Sequence, residues 1–176
     1  MLCSGIDLSY ASCLSVQREG LYPAPPGESD LLGLEVAGEI VHVEEKDSPW
    51  RVGDRVMSLV GGGGYAQYAT AYTGHLMHIP DNMSFSQAAC VSETYITAFL
   101  NLFLLANTVD GNTVLLHGGG GGVTSAGIQL LQHLTPKSTI VVTSSPGKVD
   151  RVKAQGAHLV LDYTSQDGGS GGWPAV

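Results

Sequence analysis

Five consecutive glycines, Gly118 to Gly122, are the stretch of this chain whose residue types point most directly to chemistry. They follow an apolar run, "TVLLH" (113–117), and precede a helical pattern, "TSAGIQLLQHL" (124–134). A glycine turn between a strand and a helix lets backbone amides approach a phosphate at the positive end of the helix. The stretch therefore predicts a pyrophosphate site, with a plain flexible turn as the alternative.

One position of the loop departs from the pattern G-x-G-x-x-G of dinucleotide-binding proteins. In the best alignment Gly119 and Gly121 take the first two glycine positions, and Thr124 takes the third. The third glycine ordinarily lets the helix pack close to the strand. We expect the branched Thr124 side chain to weaken that packing and to offer a hydroxyl toward the phosphates.

The end of the following apolar run indicates which dinucleotide would bind. That run, predicted as a strand over 138–145, ends in Thr143, Ser144 and Ser145, and Lys148 follows it. A carboxylate about 20 residues beyond the loop would hold the ribose 2′-hydroxyl of NAD, and none stands here. Neutral hydroxyls beside a cation suit a 2′-phosphate, so NADP(H) is predicted. In the alternative, the serines only begin a turn and Lys148 only solvates a helix.

The elements before the loop have the pattern of a small β domain. Residues 35–43 and 54–60 predict two strands joined by a charged turn, and short alternating runs split by glycines continue over 61–80. A series of short strands punctuated by glycine is typical of an irregular β-barrel-like domain. We place this domain at residues 1–83.

Helical patterns begin after Pro80. Either Ser84 or Ser86 is expected to cap a short helix around "QAAC". Ser92 and Glu93 are expected to begin a longer apolar helix, "ETYITAFLNLFLLAN".

The rest of the chain alternates between strands and helices. Buried strands are predicted at 113–117 and 138–145, and a third strand at 157–163, with helices between them. This alternation is typical of a doubly wound parallel sheet, placed here at 84–164. Only one of the two β-α-β halves of such a domain is found. The glycine-rich tail, 165–176, has no periodicity and is expected to be disordered.

Composition and charge exclude several classes of function. The net charge of −8, from 8 Lys+Arg and 16 Asp+Glu, repels nucleic acid and anionic membranes. Cys3, Cys13 and Cys90 form no C-x-x-C pair, so neither a disulfide framework nor a four-cysteine zinc site is expected. No signal peptide is seen, and no stretch is judged to approach the ~20 apolar residues of a membrane span. A cytoplasmic protein without a nucleic-acid or membrane partner is therefore predicted.

Four stretches resemble the zinc-independent quinone oxidoreductases of the medium-chain dehydrogenase/reductase superfamily. They are "GLEVAGEIV" (33–41), "VGDRVMSLVGGGGYAQYA" (52–69), "ETYITAF" (93–99) and "LLHGGGGGVTSAGIQL" (115–130). Their collinear order makes the resemblance more specific than any single motif, and the p53-inducible quinone oxidoreductase-like proteins are the subgroup most similar. The resemblance implies an α/β chain with a β domain: a GroES-like β-barrel domain followed by a partial doubly wound Rossmann domain.

The resemblance also implies an activity and a set of cofactor residues. NADPH would bind between the domains and transfer a hydride to a quinone or a related electrophilic carbonyl, and a homodimer is the assembly considered. Ser144, Lys148 and Tyr163 would surround the 2′-phosphate and adenosine, and Thr97 would lie beside the nicotinamide ribose. The pyrophosphate would be held by the loop residues Gly119, Gly121, Gly122 and Val123.

The substrate side of the resemblance rests on Tyr22 in "GLYPAPPG". It matches a tyrosine at the quinone pocket of the family and is the residue predicted to act in catalysis. A tyrosine in a glycine- and proline-rich loop is equally expected as an exposed aromatic residue of a turn. Both interpretations stay open.

Several departures from the family bear on metal binding and turnover. Leu34 stands where zinc-dependent relatives place a histidine, and His75 and His78 lie three apart in a β pattern, on opposite faces. No metal is therefore predicted. The active-site Asn of the family is not restored by either alignment of the N-terminal segment, which put Ala11 or Asp7 at its position.

The leading prediction is a truncated or divergent NADPH:quinone oxidoreductase. One rival is a non-catalytic protein that keeps the fold and pairs its exposed half-sheet edge with a partner chain. Another is a fragment that does not fold stably alone.

Overall fold

The computed structural model describes residues 2–4 and 12–165 of the 176-residue chain. The chain forms two compact units, the first ending at Glu93 and the second beginning at Thr94, and each is described by itself. The two alternative alignment positions, Asp7 and Ala11, lie outside the described residues, as does all of the predicted tail except Ser165.

The first unit is built on an antiparallel sheet of five short strands. In chain order they are β1 (Leu2–Ser4), β2 (Glu35–His42), β3 (Arg55–Leu59), β4 (Tyr68–Thr70) and β5 (Met77–His78). They lie side by side in the order β4-β1-β2-β3-β5. The predicted β domain of short strands is confirmed.

The pair β2 and β3 supplies the core of this sheet. The two strands run antiparallel, with Glu35 opposite Leu59. The strands predicted at 35–43 and 54–60 are therefore confirmed. Their apolar side chains are buried on both faces of the sheet: Ile40 and Val56 lie in one apolar cluster, and Ala37 and Met57 lie in another.

The segment 61–80 contains less strand than its pattern predicts. Only β4 and β5 are strands, and a 3-10 turn, Thr73–His75, separates them. The glycines at the start of the segment pack against another loop instead. A Cβ built on Gly64 would lie 2.9 Å from the carbonyl carbon of Gly33, so these glycines allow two backbones to approach closely.

The sequence predicts one of the two short helices of the first unit. Helix α1 (Ser12–Arg18) has no predicted counterpart. Helix α2 (Phe85–Ala88) begins after Ser84, whose hydroxyl accepts from the Gln87 amide while the Gln87 side chain accepts from the Ser84 amide. This reciprocal capping box satisfies amides that the helix leaves open, and it identifies Ser84, rather than Ser86, as the cap.

Helix α2 belongs to the first unit through its packing. Its last residue, Ala88, and the following Ala89 lie in one apolar cluster with Ala37 and Met57 of the antiparallel sheet. The division between the units therefore falls after Glu93, later than the predicted boundary at residue 83.

Helix α3 (Ser92–Phe99) widens into π-helical turns over Leu100–Leu105. The Ala106 amide donates to the Asn101 carbonyl, five residues back, at 3.0 Å. Asn107, with a φ of 52°, ends the run in the left-handed conformation that asparagine tolerates. The predicted apolar helix is confirmed in position, but it is not an uninterrupted α-helix.

The second unit is a parallel sheet with crossover helices. Its strands are β6 (Thr113–Leu116), β7 (Thr139–Ser144) and β8 (Leu159–Asp162), and they lie in the order β6-β7-β8. Helix α4 (Gly122–Leu134) connects β6 to β7, and α5 (Val149–Ala154) connects β7 to β8. The predicted first half of a doubly wound sheet is confirmed.

The order of the strands decides which of them is buried. The central strand β7 is buried from Ile140 to Ser144, as predicted. In the described part of the chain β6 has a neighbour on one side only, and its Leu115 is 41% exposed. The prediction of a buried strand is therefore wrong for β6, because an edge strand has less of its surface covered.

One helical run is long and apolar enough to cross a membrane by length and composition alone. It spans Phe85–Leu105, which is 21 residues, and 28% of an apolar stretch of 18 residues within it is buried. The sequence-based judgement that no stretch approaches the ~20 residues of a span is therefore wrong. Because core helices of folded proteins meet the same criterion, the run is weak support for a membrane span, and the lack of a membrane partner stays a prediction.

The start of α3 is held by a side chain from β2. The Glu35 carboxylate, 4% exposed, accepts from the Glu93 amide at 2.9 Å. Ser92 is fully buried, and its hydroxyl has no hydrogen-bond partner among the described residues. Ser92 is thus the first residue of the helix and not its cap, and its buried hydroxyl lowers stability.

We expect opposite responses when the two serines are replaced by alanine. Ser84→Ala removes the capping box and should lower the free energy of unfolding by about 1 kcal/mol. Ser92→Ala removes an unsatisfied buried hydroxyl and should leave that free energy unchanged or raise it. Urea unfolding followed by circular dichroism measures both effects, with Ser86→Ala as the control on α2. A loss for Ser92→Ala as large as that for Ser84→Ala would contradict the assignment of the cap to Glu35.

Candidate active site

The carboxyl ends of the three parallel strands meet at one edge of the second unit. The register places Leu116 beside Val142 and Ser144 beside Asp162. Because parallel strands end at the same edge, the glycine loop after β6, the serines after β7 and Tyr163 after β8 are brought together there. This edge is the candidate site.

Gly119 brings the loop into direct contact with the end of β7. Its amide donates to the Thr143 carbonyl at 2.8 Å. A Cβ built on Gly119 would lie 2.8 Å from side-chain carbons of both Val142 and Val152. Since packed carbon atoms prefer separations of about 3.5–4.0 Å, no side chain fits here. The loop is therefore a packed turn and not a freely flexible one.

Gly118, Gly121 and Gly122 shape the rest of the turn. Gly118 has a φ of +78°, in the region that glycine enters without strain, and the Gly121 amide donates to its carbonyl at 2.9 Å. Gly122, the first residue of α4, faces Thr94 so closely that a Cβ on Gly122 would lie 2.9 Å from the Thr94 methyl group. The predicted loop residues thus form one compact backbone turn.

Helix α4 begins at this turn with its first amides uncapped by any side chain. The N-cap is Gly121, which makes no side-chain cap hydrogen bond. The first amides of a helix have no intrahelical acceptor, and the helix dipole adds a positive potential. Val123, in this first turn, is 40% exposed, so the turn is open to a ligand. The arrangement suits an anion.

Lys148 supplies a cation to the same loop. A Cβ built on Gly120 would lie 2.7 Å from the Lys148 ammonium nitrogen, so the ammonium lies directly against the loop backbone. Lys148 is placed there by a 3-10 turn, Pro146–Lys148, in which its amide donates to the Ser145 carbonyl at 3.0 Å. The sequence predicts Lys148 near the 2′-phosphate, and the structure adds its closeness to Gly120.

Ser144 and Tyr163 are neighbours at this edge, but they differ in exposure. The Tyr163 amide donates to the Ser144 carbonyl at 3.3 Å, and Tyr163 is 52% exposed. Ser144 is 1% exposed, and its hydroxyl donates to the Ser145 carbonyl at 3.3 Å. The half-buried Ser145 is therefore the more accessible serine at this rim.

Thr124 does not face the predicted phosphate site. It is 7% exposed, and its hydroxyl donates to the His117 carbonyl at 2.9 Å. The expectation of a hydroxyl directed at phosphates is wrong, because that hydroxyl is bonded within the strand-to-helix connection. Gly127 faces β6, and a Cβ there would make ordinary van der Waals contact with a Leu116 methyl group at 3.4 Å.

Helix α3 contributes contacts that the sequence analysis missed. Thr94 packs against Gly122, and the Tyr95 hydroxyl donates to the Gln129 side-chain oxygen at 2.6 Å, which ties α3 to α4. Nothing in the sequence pattern marks these pairs, because their members are distant in the chain. Thr97 lies one turn after Thr94 and is half-buried. Its predicted contact with the nicotinamide ribose stays a prediction.

The predicted residues of the first unit are described separately. Tyr22 lies in a loop and is 46% exposed, whereas Leu34 is buried in the core. The His78 ring contacts Trp50 at an interplanar angle of 45° with ring centroids 4.4 Å apart, and His75 lies in a 3-10 turn rather than in a strand. Across residues 2–4 and 12–165, no group of three or more His, Cys, Asp or Glu side chains could hold a metal ion.

The first unit also carries an open pocket of about 320 Å³. Its lining includes Glu28, Glu44 and Tyr72. The Tyr72 hydroxyl donates to the Glu28 carboxylate at 3.2 Å, and this hydrogen bond, together with the negative charge, raises the pKa of Tyr72 above its ordinary value. None of the predicted site residues lines this pocket.

Comparison with known proteins supports the two-part fold. The alcohol dehydrogenase GroES-like domain matches residues 3–81, close to the β domain predicted at 1–83. The human synaptic vesicle membrane protein VAT-1 homolog is 34% identical over 160 residues, which are 91% of this chain and 40% of that protein. The chain thus spans less than half the length of this relative.

Two solved structures extend the likeness across both units. The quinone oxidoreductase of Pseudomonas syringae pv. tomato has a TM-score of 0.81 and 30% identity, covering 94% of this chain and 50% of that one. A mycobacterial protein complexed with NADPH has a TM-score of 0.81 and 30% identity, covering 93% and 50%. The chain spans about half the length of each.

These likenesses agree with the sequence motifs and with the order of the elements. The likeness to the p53-inducible subgroup stays a prediction, since none of these relatives tests it. A GroES-like β domain leads here into a three-stranded parallel sheet with a glycine loop after its first strand. The chain belongs to the medium-chain dehydrogenase/reductase superfamily, as a partial, quinone oxidoreductase-like member.

Proposed function

We propose that this chain is part of an NADPH-dependent oxidoreductase that transfers a hydride to a quinone or a related electrophilic carbonyl. The observation that carries the proposal is the glycine loop, which packs on β7, leaves the first amides of α4 uncapped and lies against the Lys148 ammonium. The similar quinone oxidoreductase and the similar NADPH complex support the reaction and the cofactor.

Because the chain is acidic, phosphate binding depends on this local arrangement of amides and a cation. A net charge of −8 repels a dinucleotide phosphate at long range. Binding must therefore come from short-range donors, and the first turn of α4 with Lys148 offers both amides and a cation. Helix N-termini bind phosphate through this combination of amides and dipole.

NADP(H) is favoured over NAD(H) by the groups at the rim. Lys148 is available to pair with a 2′-phosphate, and the serines beside it are neutral. The one carboxylate that pairs in register with this rim, Asp162 opposite Ser144, accepts from the amide and the hydroxyl of Thr164 at 2.8 and 2.7 Å. Thr164 therefore engages one oxygen of the Asp162 carboxylate, Oδ1.

The protein residues act in this proposal by placement. NADPH, when bound, supplies the hydride. The protein binds and orients the cofactor and sets the electrostatic environment around it. The α4 amides hold the pyrophosphate, Lys148 the 2′-phosphate, and Thr97 the nicotinamide ribose, while Tyr22 orients the quinone. We propose that the reaction is zinc-independent, because Leu34 replaces a ligand and cannot coordinate a metal.

A second candidate is a non-catalytic role in partner binding. It is favoured by apolar side chains of the second unit that stay open to solvent, among them Leu104, Leu105, Val109 and Leu115, which are 62%, 65%, 60% and 41% exposed. Exposed apolar surface of this kind often marks an interaction site. In this case NADPH would bind without quinone-dependent turnover.

A negative charge in the first turn of α4 should weaken NADPH binding without lowering the free energy of unfolding. We expect Val123→Glu to weaken NADPH binding about tenfold or more, since the carboxylate occupies the amides and repels phosphate. The same carboxylate favours the helix N-terminus, so the free energy of unfolding should stay unchanged or rise by about 0.5 kcal/mol. Fluorescence titration and urea unfolding measure the two quantities.

The neutral variant Val123→Gln is the matched control for this charge. Glutamine has nearly the same size as glutamate but carries no charge, so this variant should keep most of the NADPH affinity. Equal NADPH affinity in Val123→Glu and the unmodified chain would contradict a phosphate site at α4.

Removing the ammonium of Lys148 should change the choice of nucleotide. We expect Lys148→Gln to weaken NADPH binding about tenfold, or ~1.4 kcal/mol, while NADH affinity stays the same. Lys137→Gln, at the amino end of β7 and so at the opposite edge of the sheet, is the control. An equal loss for both nucleotides would place Lys148 at the pyrophosphate rather than at the 2′-phosphate.

The reaction itself is tested by NADPH oxidation with and without added quinone. We expect a quinone-dependent rate that Val123→Glu lowers at subsaturating NADPH, and a raised KM for quinone with unchanged NADPH affinity in Tyr22→Phe. NADPH binding without any quinone-dependent rate would favour the partner-binding role. An unchanged KM in Tyr22→Phe would leave Tyr22 as a surface aromatic of its loop.

A further inference from the structure

Thr143 holds three consecutive residues at the start of the glycine loop. Its carbonyl accepts from the Gly119 amide at 2.8 Å. Its hydroxyl oxygen lies 3.3 Å from the Gly118 amide, from which it accepts, and 3.2 Å from Nδ1 of His117. At 3% exposed, Thr143 is part of the buried central strand. One buried side chain on β7 therefore bonds to the segment that leads out of β6.

Only one of these hydrogen bonds has a direction that the groups themselves fix. The Gly118 amide can only donate, so the Thr143 hydroxyl oxygen accepts from it. Toward Nδ1 of His117 the same hydroxyl donates when Nδ1 carries no proton, and its second lone pair accepts when Nδ1 carries one. In either tautomer the Thr143 hydroxyl bonds to two neighbouring residues, which a serine could reproduce and a valine could not.

These bonds fix the part of the loop with the most restricted backbone. Gly118 adopts a φ of +78°, and Gly119 has no room for a side chain beside Val142. From the other side, the Thr124 hydroxyl bonds to the His117 carbonyl at 2.9 Å. The path from β6 into α4 is therefore set by two threonine hydroxyls.

We infer that Thr143 is a positioning residue for the dinucleotide site. It touches no phosphate itself and acts by holding residues 117–119 so that the amides at the start of α4 face the pyrophosphate. This inference rests on the proposed function, because it assumes that the loop binds the pyrophosphate of NADPH. A loop that is already held in its binding conformation loses less conformational freedom when the ligand binds.

The test compares Thr143→Val with Thr143→Ser. Valine has the same shape without the hydroxyl, whereas serine keeps it. Thr135→Val is the matched control, because Thr135 is 6% exposed and bonds by its hydroxyl to the Leu131 carbonyl at the far end of α4. All variants are titrated with NADPH and with adenosine 2′-monophosphate, which has the 2′-phosphate but no pyrophosphate.

We expect Thr143→Val to weaken NADPH binding about tenfold and to leave adenosine 2′-monophosphate within about twofold, as the loss of one preorganising hydrogen bond implies. Thr143→Ser should restore the NADPH affinity, and Thr135→Val should not change it. Equal losses for both ligands, or no recovery with serine, would overturn the inference and reduce Thr143 to a general contributor to stability.

Amide hydrogen exchange separates this inference from the proposed function. In Thr143→Val the Gly118 amide loses its acceptor and should exchange faster, while the Gly119 amide keeps the Thr143 carbonyl and should change less. If the unmodified chain fails to bind NADPH, the proposed function fails, but this exchange pattern still tests the positioning role. Unchanged exchange at Gly118 would overturn the inference whether or not NADPH binds.

Discussion

The close approach of Gly119 to the end of β7 is the constraint on which the second unit depends. The hydrogen bond from its amide to the Thr143 carbonyl and the tight contacts with Val142 and Val152 leave no space for a side chain. The chain must therefore leave β6 through glycine and turn at once into α4. As a consequence, α4 begins without a side-chain cap, directly beside the ends of the other two strands.

This geometry places positive potential in an acidic protein. The uncapped amides of α4 and the ammonium of Lys148 converge at one edge of the sheet, although the chain as a whole carries a charge of −8. These donors act on a phosphate at hydrogen-bonding distance. The repulsion between that phosphate and distant surface carboxylates is weakened by salt. The same loop therefore combines tight packing on its inner side with an open anion site on its outer side.

Sequence patterns predicted the positions of the strands and helices better than they predicted burial and contacts between distant residues. The strands β2 and β3, the β-α-β order and a serine cap for α2, at Ser84 or Ser86, were predictable, because periodicity and capping chemistry are local. The exposure of β6 was not, since burial depends on how many strands lie beside it. Ser92 and Glu93 begin α3 as predicted, but the carboxylate that accepts from the Glu93 amide belongs to Glu35, which is distant in the chain and carries no local signal of this contact.

The sequence by itself determined where a glycine turn joins a strand to a helix and that no carboxylate follows at the usual position for NAD. It also determined the family, through motifs that occur in collinear order. Only the tertiary structure decided that the Thr124 hydroxyl bonds to His117, that Thr143 supports the loop and that Lys148 lies against Gly120. These contacts join residues from different strands and helices, and no local pattern records them, because packing alone brings such residues together.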